Sequence, residues 1–192
     1  MKKVDLHVHS NHPSFWFLQR LGAGESYTEP EYIYQWAKEK GMDYVTITDH
    51  NNITGALELK AKYPDEVITG VEATTYFPED GCKIHVLIYD LTEDDFRIIQ
   101  NVRENIYELR DFLKRSKLPH SVAHATYSVN NKLNQEHIEK LILLFDIFEG
   151  INGRRNQKNN QVRMKFLERL TPDYIEKIYD KPRIKPFSAT PW

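Results

Sequence analysis

"VDLHVHS" occupies residues 4–10, and how it is read decides the fold. On a strand, side chains alternate between faces, so His7 and His9 point the same way and Asp5 joins them. Each imidazole carries two ring nitrogens that need partners, and an apolar core offers none. A buried strand bearing Asp-x-His-x-His therefore points to metal rather than to packing. The question becomes what the rest of the chain brings to those two rings.

Outward from this stretch, strand-like runs alternate with helical patterns, which marks an α/β domain whose parallel strands curl toward a barrel. The strand candidates are KVDLHV, YVTIT, EVITGVEATTYF, KIHVLIYD, SVAHA and LFDIFEGI. Between them lie TEPEYIYQWAKEKG, with Thr28 as cap, Pro30 in its first turn and Gly41 at its end, and the shorter ITGALELKAKY. The longest helical pattern, residues 91–117, opens on a Thr92 cap and acids and closes on Lys114, Arg115 and Lys117. NQEHIEKLILL, NNQVRMKFLERL and TPDYIEKIY follow. Residues 1–192 read as one domain.

Composition narrows the function. The chain has 192 residues and a net charge of −2, so no basic field marks a nucleic-acid or membrane surface. Its single cysteine, Cys82, rules out an internal disulfide framework and fits a reducing, cytoplasmic setting. No apolar run approaches the roughly 20 residues of a membrane span, and no signal peptide follows the opening lysines.

Eight histidines are present, and most fall at or near the ends of strand candidates, where α/β barrels build their sites. His7 and His9 close the first strand. Asp49 and His50 end the second in TITDHNN, Glu72 lies in TGVEATTYF, His85 in KIHVLIYD, and His124 in SVAHATYS. Imidazoles and carboxylates without a thiolate run suit Zn, Mn or Fe. His137, in a helix start, and His120, ahead of its strand, read as ordinary surface or core residues. Cys82 reads as a small hydrophobe. A plain hairpin through TTYFPEDGCKIH would set His85 opposite Thr75, facing away from Glu72. The strand carrying Glu72 is therefore expected to end before YFPEDG.

The assembly resembles the PHP family, the polymerase and histidinol phosphatase domains. DLHVHS resembles the first motif of that family and TITDHN the second, while Glu72, His85 and VAHA resemble its later metal-ligand positions. TYFPEDGCKIHVL and LLFDIFEGINGRRN look most like PHP domains encoded beside sugar-transferring domains in bacteria. The resemblance implies a distorted seven-stranded (β/α) barrel with two to three divalent ions. His7 and His9 would hold the first metal, Glu72 would bridge to a second completed by His85 and His124, and His50 would serve a third. Asp5 and Asp49 look like outer partners that orient imidazoles. Where the family often has Ser-Asp-Gly this chain reads HSNHPSFWF, and His12 is the candidate substitute. The closing Gly-Ser-Asp-x-His motif of the family is absent before Trp192. A barrel lacking its last strand is therefore expected, with impaired activity and with self-association or a larger parent chain.

Clustered divalent ions polarise a phosphoryl oxygen and lower the pKa of a bound water toward ~7. The expected activity is thus hydrolysis of a small phosphorylated substrate, with Arg154 as the candidate phosphate contact in EGINGRRN, beside Arg155. The run through Lys158, Arg163 and Lys165 reads as a solvated helix face. Two other readings stay open. An amidohydrolase-type barrel also opens on His-x-His, and a non-catalytic, regulatory domain of a larger protein would tolerate the missing motif. A nuclease reading is disfavoured by the acidic balance and the lack of a basic, aromatic groove pattern.

Overall fold

The computed structural model describes residues 2–10, 28–153 and 157–180. Five strands form one curled sheet in the order β1-β2-β3-β4-β5: β1 (Val4–Asp5), β2 (Tyr44–Ile47), β3 (Val67–Tyr76), β4 (Lys83–Tyr89) and β5 (His120–Val122). Among the described residues seven helices cover it: α1 (Pro30–Glu39), α2 (Thr54–Lys62), α3 (Glu93–Val102), α4 (Ile106–Ser116), α5 (Gln135–Leu144), α6 (Gln157–Glu168) and α7 (Pro172–Tyr179). The α/β class is as read from the alternation, but the sheet is mixed. β1, β2 and β3 run parallel, whereas β4 is antiparallel to both β3 and β5. The reversal comes from the β3–β4 hairpin, which needs no crossover helix. The LFDIFEGI run touches the sheet through a single parallel bridge, Val122 with Phe148.

Local chemistry explains most of the boundaries. Pro30 at the first turn of α1 gives up a donor that no helical carbonyl would have met. Gly41, at φ +75, lets the chain turn out of that helix into β2. Thr92 and Asp95 form a reciprocal capping box on α3. The long 91–117 pattern is two helices rather than one. Arg103 closes α3, and the Asn105 side chain accepts from the Tyr107 N–H to start α4. Gly70 is required by space, since a Cβ there would stand 2.7 Å from Thr46 Oγ1 and 2.8 Å from the Ile47 carbonyl. β2 and β3 could not close to their register with a side chain in that position.

The two faces of the sheet carry different jobs. Val71, Ala73, Val86 and Ile88 face the helices and pack with Ile99, Leu109, Leu113, Val122 and Leu141 in the main core. A second core joins Ile33 of α1, Val45 and Ile47 of β2, and Leu59 of α2. The inner, concave face holds Glu72, Thr74 and His85, with a small apolar floor of Leu87, Tyr89 and Ala123. Tyr89 reaches across that face and donates its hydroxyl to the Leu6 carbonyl at 3.0 Å, tying β4 to the segment after β1.

Candidate metal centre

Glu72 is the middle of the site. It sits on β3, is 1% exposed, and has five imidazoles on its two oxygens. Around Oε2 are His7 Nε2 at 3.1 Å, His9 Nε2 at 3.0 Å and His50 Nδ1 at 3.3 Å. Around Oε1 are His85 Nδ1 at 2.9 Å and His124 Nε2 at 3.0 Å.

The rings arrive from four strands: His7 and His9 after β1, His50 after β2, His85 within β4 and His124 after β5. The β1 ladder stops at Asp5, so His7 and His9 lie beyond it, yet the segment stays extended because Val8 exchanges hydrogen bonds with Thr48. The period of two survives, and both rings face Glu72. His50 follows β2 and bridges Glu72 in parallel. His124 follows β5 with φ +32, a left-handed backbone that costs a non-glycine residue about 1–3 kcal/mol.

The hairpin corrects the expectation for His85. β3 runs on to Tyr76 instead of ending early, and the register pairs His85 with Thr74, two residues from Glu72 and on its face. The turn accounts for the shift by one. The Phe77 N–H donates to the Cys82 carbonyl and the Gly81 N–H to the Phe77 carbonyl, so four residues, Pro-Glu-Asp-Gly, make the loop. Gly81 supplies the positive φ of +71 that this closure needs.

The two aspartates act on backbone. Asp5 accepts the His7 N–H at 3.2 Å, and Asp49 accepts both the backbone N–H and the hydroxyl of Ser10. These bonds help to fix the path of the His-x-His segment. His12, Arg154 and Arg155 lie outside the described residues. His120 is apart from the cluster, with Nδ1 on the Leu118 carbonyl. His137 is buried and belongs to the α5 capping box, apart from the cluster. Cys82 is buried, and burial pushes its thiol up to about 11.

One carboxylate at the cluster is not among the residues singled out by the sequence motifs. Glu149, just past the Phe148 bridge, places Oε1 2.7 Å from His7 Nδ1 and accepts the His124 backbone N–H on Oε2 at 2.7 Å. Asn152 donates to the same carboxylate at 2.9 Å. Arg163, read above as part of a solvated face, is 1% exposed, and its Nη1 lies 3.4 Å from Glu149 Oε2. The available signal was a carboxylate directly after an apolar run, at the same strand-end position that singles out His50 and His124.

Charge is unevenly shared. Burial would raise the Glu72 carboxyl, but hydrogen bonds from His124, His7, His85 and His9 outweigh it and hold the group far below the carboxylate range. Burial also pulls His7 down, yet its hydrogen bonds to Glu149 and Glu72 and their charges lift it to about 9. His50 goes the other way, to about 3, through burial and the neighbouring rings of His9, His85 and His7. Burial lowers His124 as well, against the opposing pull of Glu72.

The donor set fits a divalent cation. His7 Nε2, His9 Nε2 and Glu72 Oε2 form a triangle with edges of 3.1, 3.0 and 3.1 Å. Tetrahedral bonds of 2.0–2.1 Å to zinc would give edges of about 3.3 Å. Two ring nitrogens 3.1 Å apart and aimed at one carboxylate oxygen are placed as the ligands of one metal ion would be. A second group of His50, Glu72 and His85 converges similarly. His50, assigned by the resemblance to a third ion, thus shares the carboxylate oxygen used by His7 and His9.

No family model matches the chain. An uncharacterized protein of Methanocaldococcus jannaschii is 38% identical over 76 residues, which span 38% of this chain and 44% of that protein. The match therefore covers less than half of the curated relative. Among solved structures, a Bifidobacterium adolescentis protein assigned as a metal-dependent phosphoesterase superposes with a TM-score of 0.53 at 15% identity, over 88% of this chain and 84% of that one. An amidohydrolase from Chromobacterium violaceum, with bound sulfate and no metal, gives 0.58 at 13% identity over 83% and 81%. The chain has their fold. Its curled five-stranded sheet is part of a TIM-like barrel, with the Glu72 cluster on the concave side. Among the described residues no helix is long and apolar enough to cross a membrane.

Proposed function

We propose that the chain is a PHP-type metal-dependent phosphoesterase acting on a small phosphorylated substrate. The observation that carries this reading is the convergence of five imidazoles on the buried Glu72 carboxylate. His7, His9 and Glu72 would hold one divalent ion, and Glu72 with His50, His85 and His124 a second. A divalent cation held there supplies Lewis acidity toward a phosphoryl oxygen and lowers the pKa of water toward ~7.

The protein's own groups prepare that chemistry. Glu72 stays ionised at any working pH, so its two oxygens remain acceptors. His50 stays neutral and keeps a lone pair available. The apolar floor of Leu87, Tyr89 and Ala123 limits water beneath the cluster, which strengthens each electrostatic contact above it. Arg154 remains the proposed phosphate contact, since it follows Glu149 by five positions in the sequence. The sugar-transferring subgroup rests on the sequence stretches alone.

An amidohydrolase reading is kept as the second one, favoured by the similarity to the C. violaceum fold. The test is hydrolysis by zinc- or manganese-loaded protein of a phosphomonoester such as p-nitrophenyl phosphate against an N-acyl amino acid. Phosphate release abolished by Glu72→Gln is expected. Amide cleavage without phosphate release would replace the first reading with the second.

A further inference from the structure

We propose that Glu149 is a positioning residue, a single carboxylate that holds the two ends of the metal centre in register; the proposal rests on the metal-site reading above. Its two oxygens serve different ligands. Oε1 takes the Nδ1 side of His7, which leaves His7 Nε2 as the atom facing Glu72 and His9. A carboxylate on one ring nitrogen fixes the tautomer and orientation that present the other. Oε2 accepts the backbone N–H of His124, whose left-handed φ of +32 needs a holding contact. One side chain thereby sets the distance between a ring on Oε2 of Glu72 and a ring on Oε1.

Glu149 is itself held. Asn152 donates to Oε1, the fully buried Arg163 lies 3.4 Å from Oε2, and Asn160 of α6 clasps Asn152 through two backbone contacts. A buried guanidinium is retained only beside an anion, so α6 is built around this carboxylate. A merely structural ion pair would need neither the His7 contact nor the His124 contact.

The test uses chelator-stripped full-length protein and zinc alone, with affinity read by competition against a chromophoric chelator. Two variants are compared with wild type: Glu149→Gln, and Glu149→Met combined with Arg163→Met, which avoids leaving the guanidinium unpaired. The double variant is expected to bind zinc about 10–100-fold more weakly while its stripped form melts near the wild-type temperature. Glu149→Gln, which keeps one oxygen, should fall between the two. In nitrogen-15 spectra of the zinc-loaded protein, the solvent-protected Nδ1–H of His7 should be present in wild type and lost in the double variant. Wild-type zinc affinity in both variants would overturn the proposal while leaving the metal site standing. Failure of the wild-type protein itself to bind zinc would overturn the metal-site reading instead.

Discussion

Two polar clusters lie along the β3–β4 hairpin, and both contain histidines and carboxylates. At the turn, Glu79 accepts from Tyr107 at 2.6 Å and from Lys140 at 3.1 Å, and Lys140 also meets Glu136. His137 there accepts the Asn134 N–H on Nδ1 and sets Nε2 3.2 Å from Asp80. Every charge at the turn has an opposite one, and the His137 ring has one donor and one acceptor role. Midway along the same strands, five rings crowd one carboxylate, with two ring nitrogens 3.1 Å apart. The first cluster closes with protein groups in opposite pairs; the second has a donor set that could hold a cation. A histidine among carboxylates is thus not in itself a sign of function. The sign is the convergence of several imidazole nitrogens on the two oxygens of one buried carboxylate.

The sharpest way to break this contrast is to neutralise the acid in each cluster. Glu72→Gln should weaken zinc binding by at least about 100-fold, beyond the usual effect of an outer partner, whereas Glu79→Gln should leave it unchanged. Equal losses would erase the distinction. Lys140→Met, next in size, should cost about 1–2 kcal/mol of stability by unpairing Glu79 and Glu136, which are themselves partly exposed. Denaturant midpoints measure it, and zinc affinity should not move.

The pH response sharpens the comparison further. His7 is raised in the folded state to about 9 from 6.5, so in metal-free protein its contribution is full below pH 6.5 and is lost as pH climbs toward 9. His50 is lowered to about 3, so its contribution is full above pH 6.5 and is lost as pH falls toward 3. Stripped protein should therefore lose a few degrees in Tm between pH 6.5 and 9, and His7→Asn should remove that alkaline slope. Persistence of the slope in His7→Asn would assign it elsewhere. The smallest effect is expected from His137→Ala, about 1 kcal/mol for a lost cap, again without change in zinc affinity.

The parts of this picture that were legible in sequence follow from local rules. His7 and His9 share a face because an extended chain alternates, and that held even beyond the β1 ladder. Thr92 announced α3 by its own capping chemistry. What escaped depended on partners far along the chain. The placement of His85 turned on whether the hairpin closed around four residues, a matter of one register step that reverses every side chain. The break at Arg103–Asn105 hides inside a continuous amphipathic pattern. Arg163 stands among charged neighbours in sequence, and only the return of α6 across the strand ends buries it against Glu149. Glu149 carries no motif of its own; its meaning lies in a contact 142 residues away with His7.

Whether the Glu72 cluster is a metal centre can be read from X-ray diffraction at the zinc absorption edge, using crystals of zinc-supplemented protein. An anomalous peak is expected between His7 Nε2, His9 Nε2 and Glu72 Oε2, about 2.0–2.2 Å from each. Zinc found only elsewhere on the protein, with these three atoms still hydrogen-bonded to one another, would contradict it.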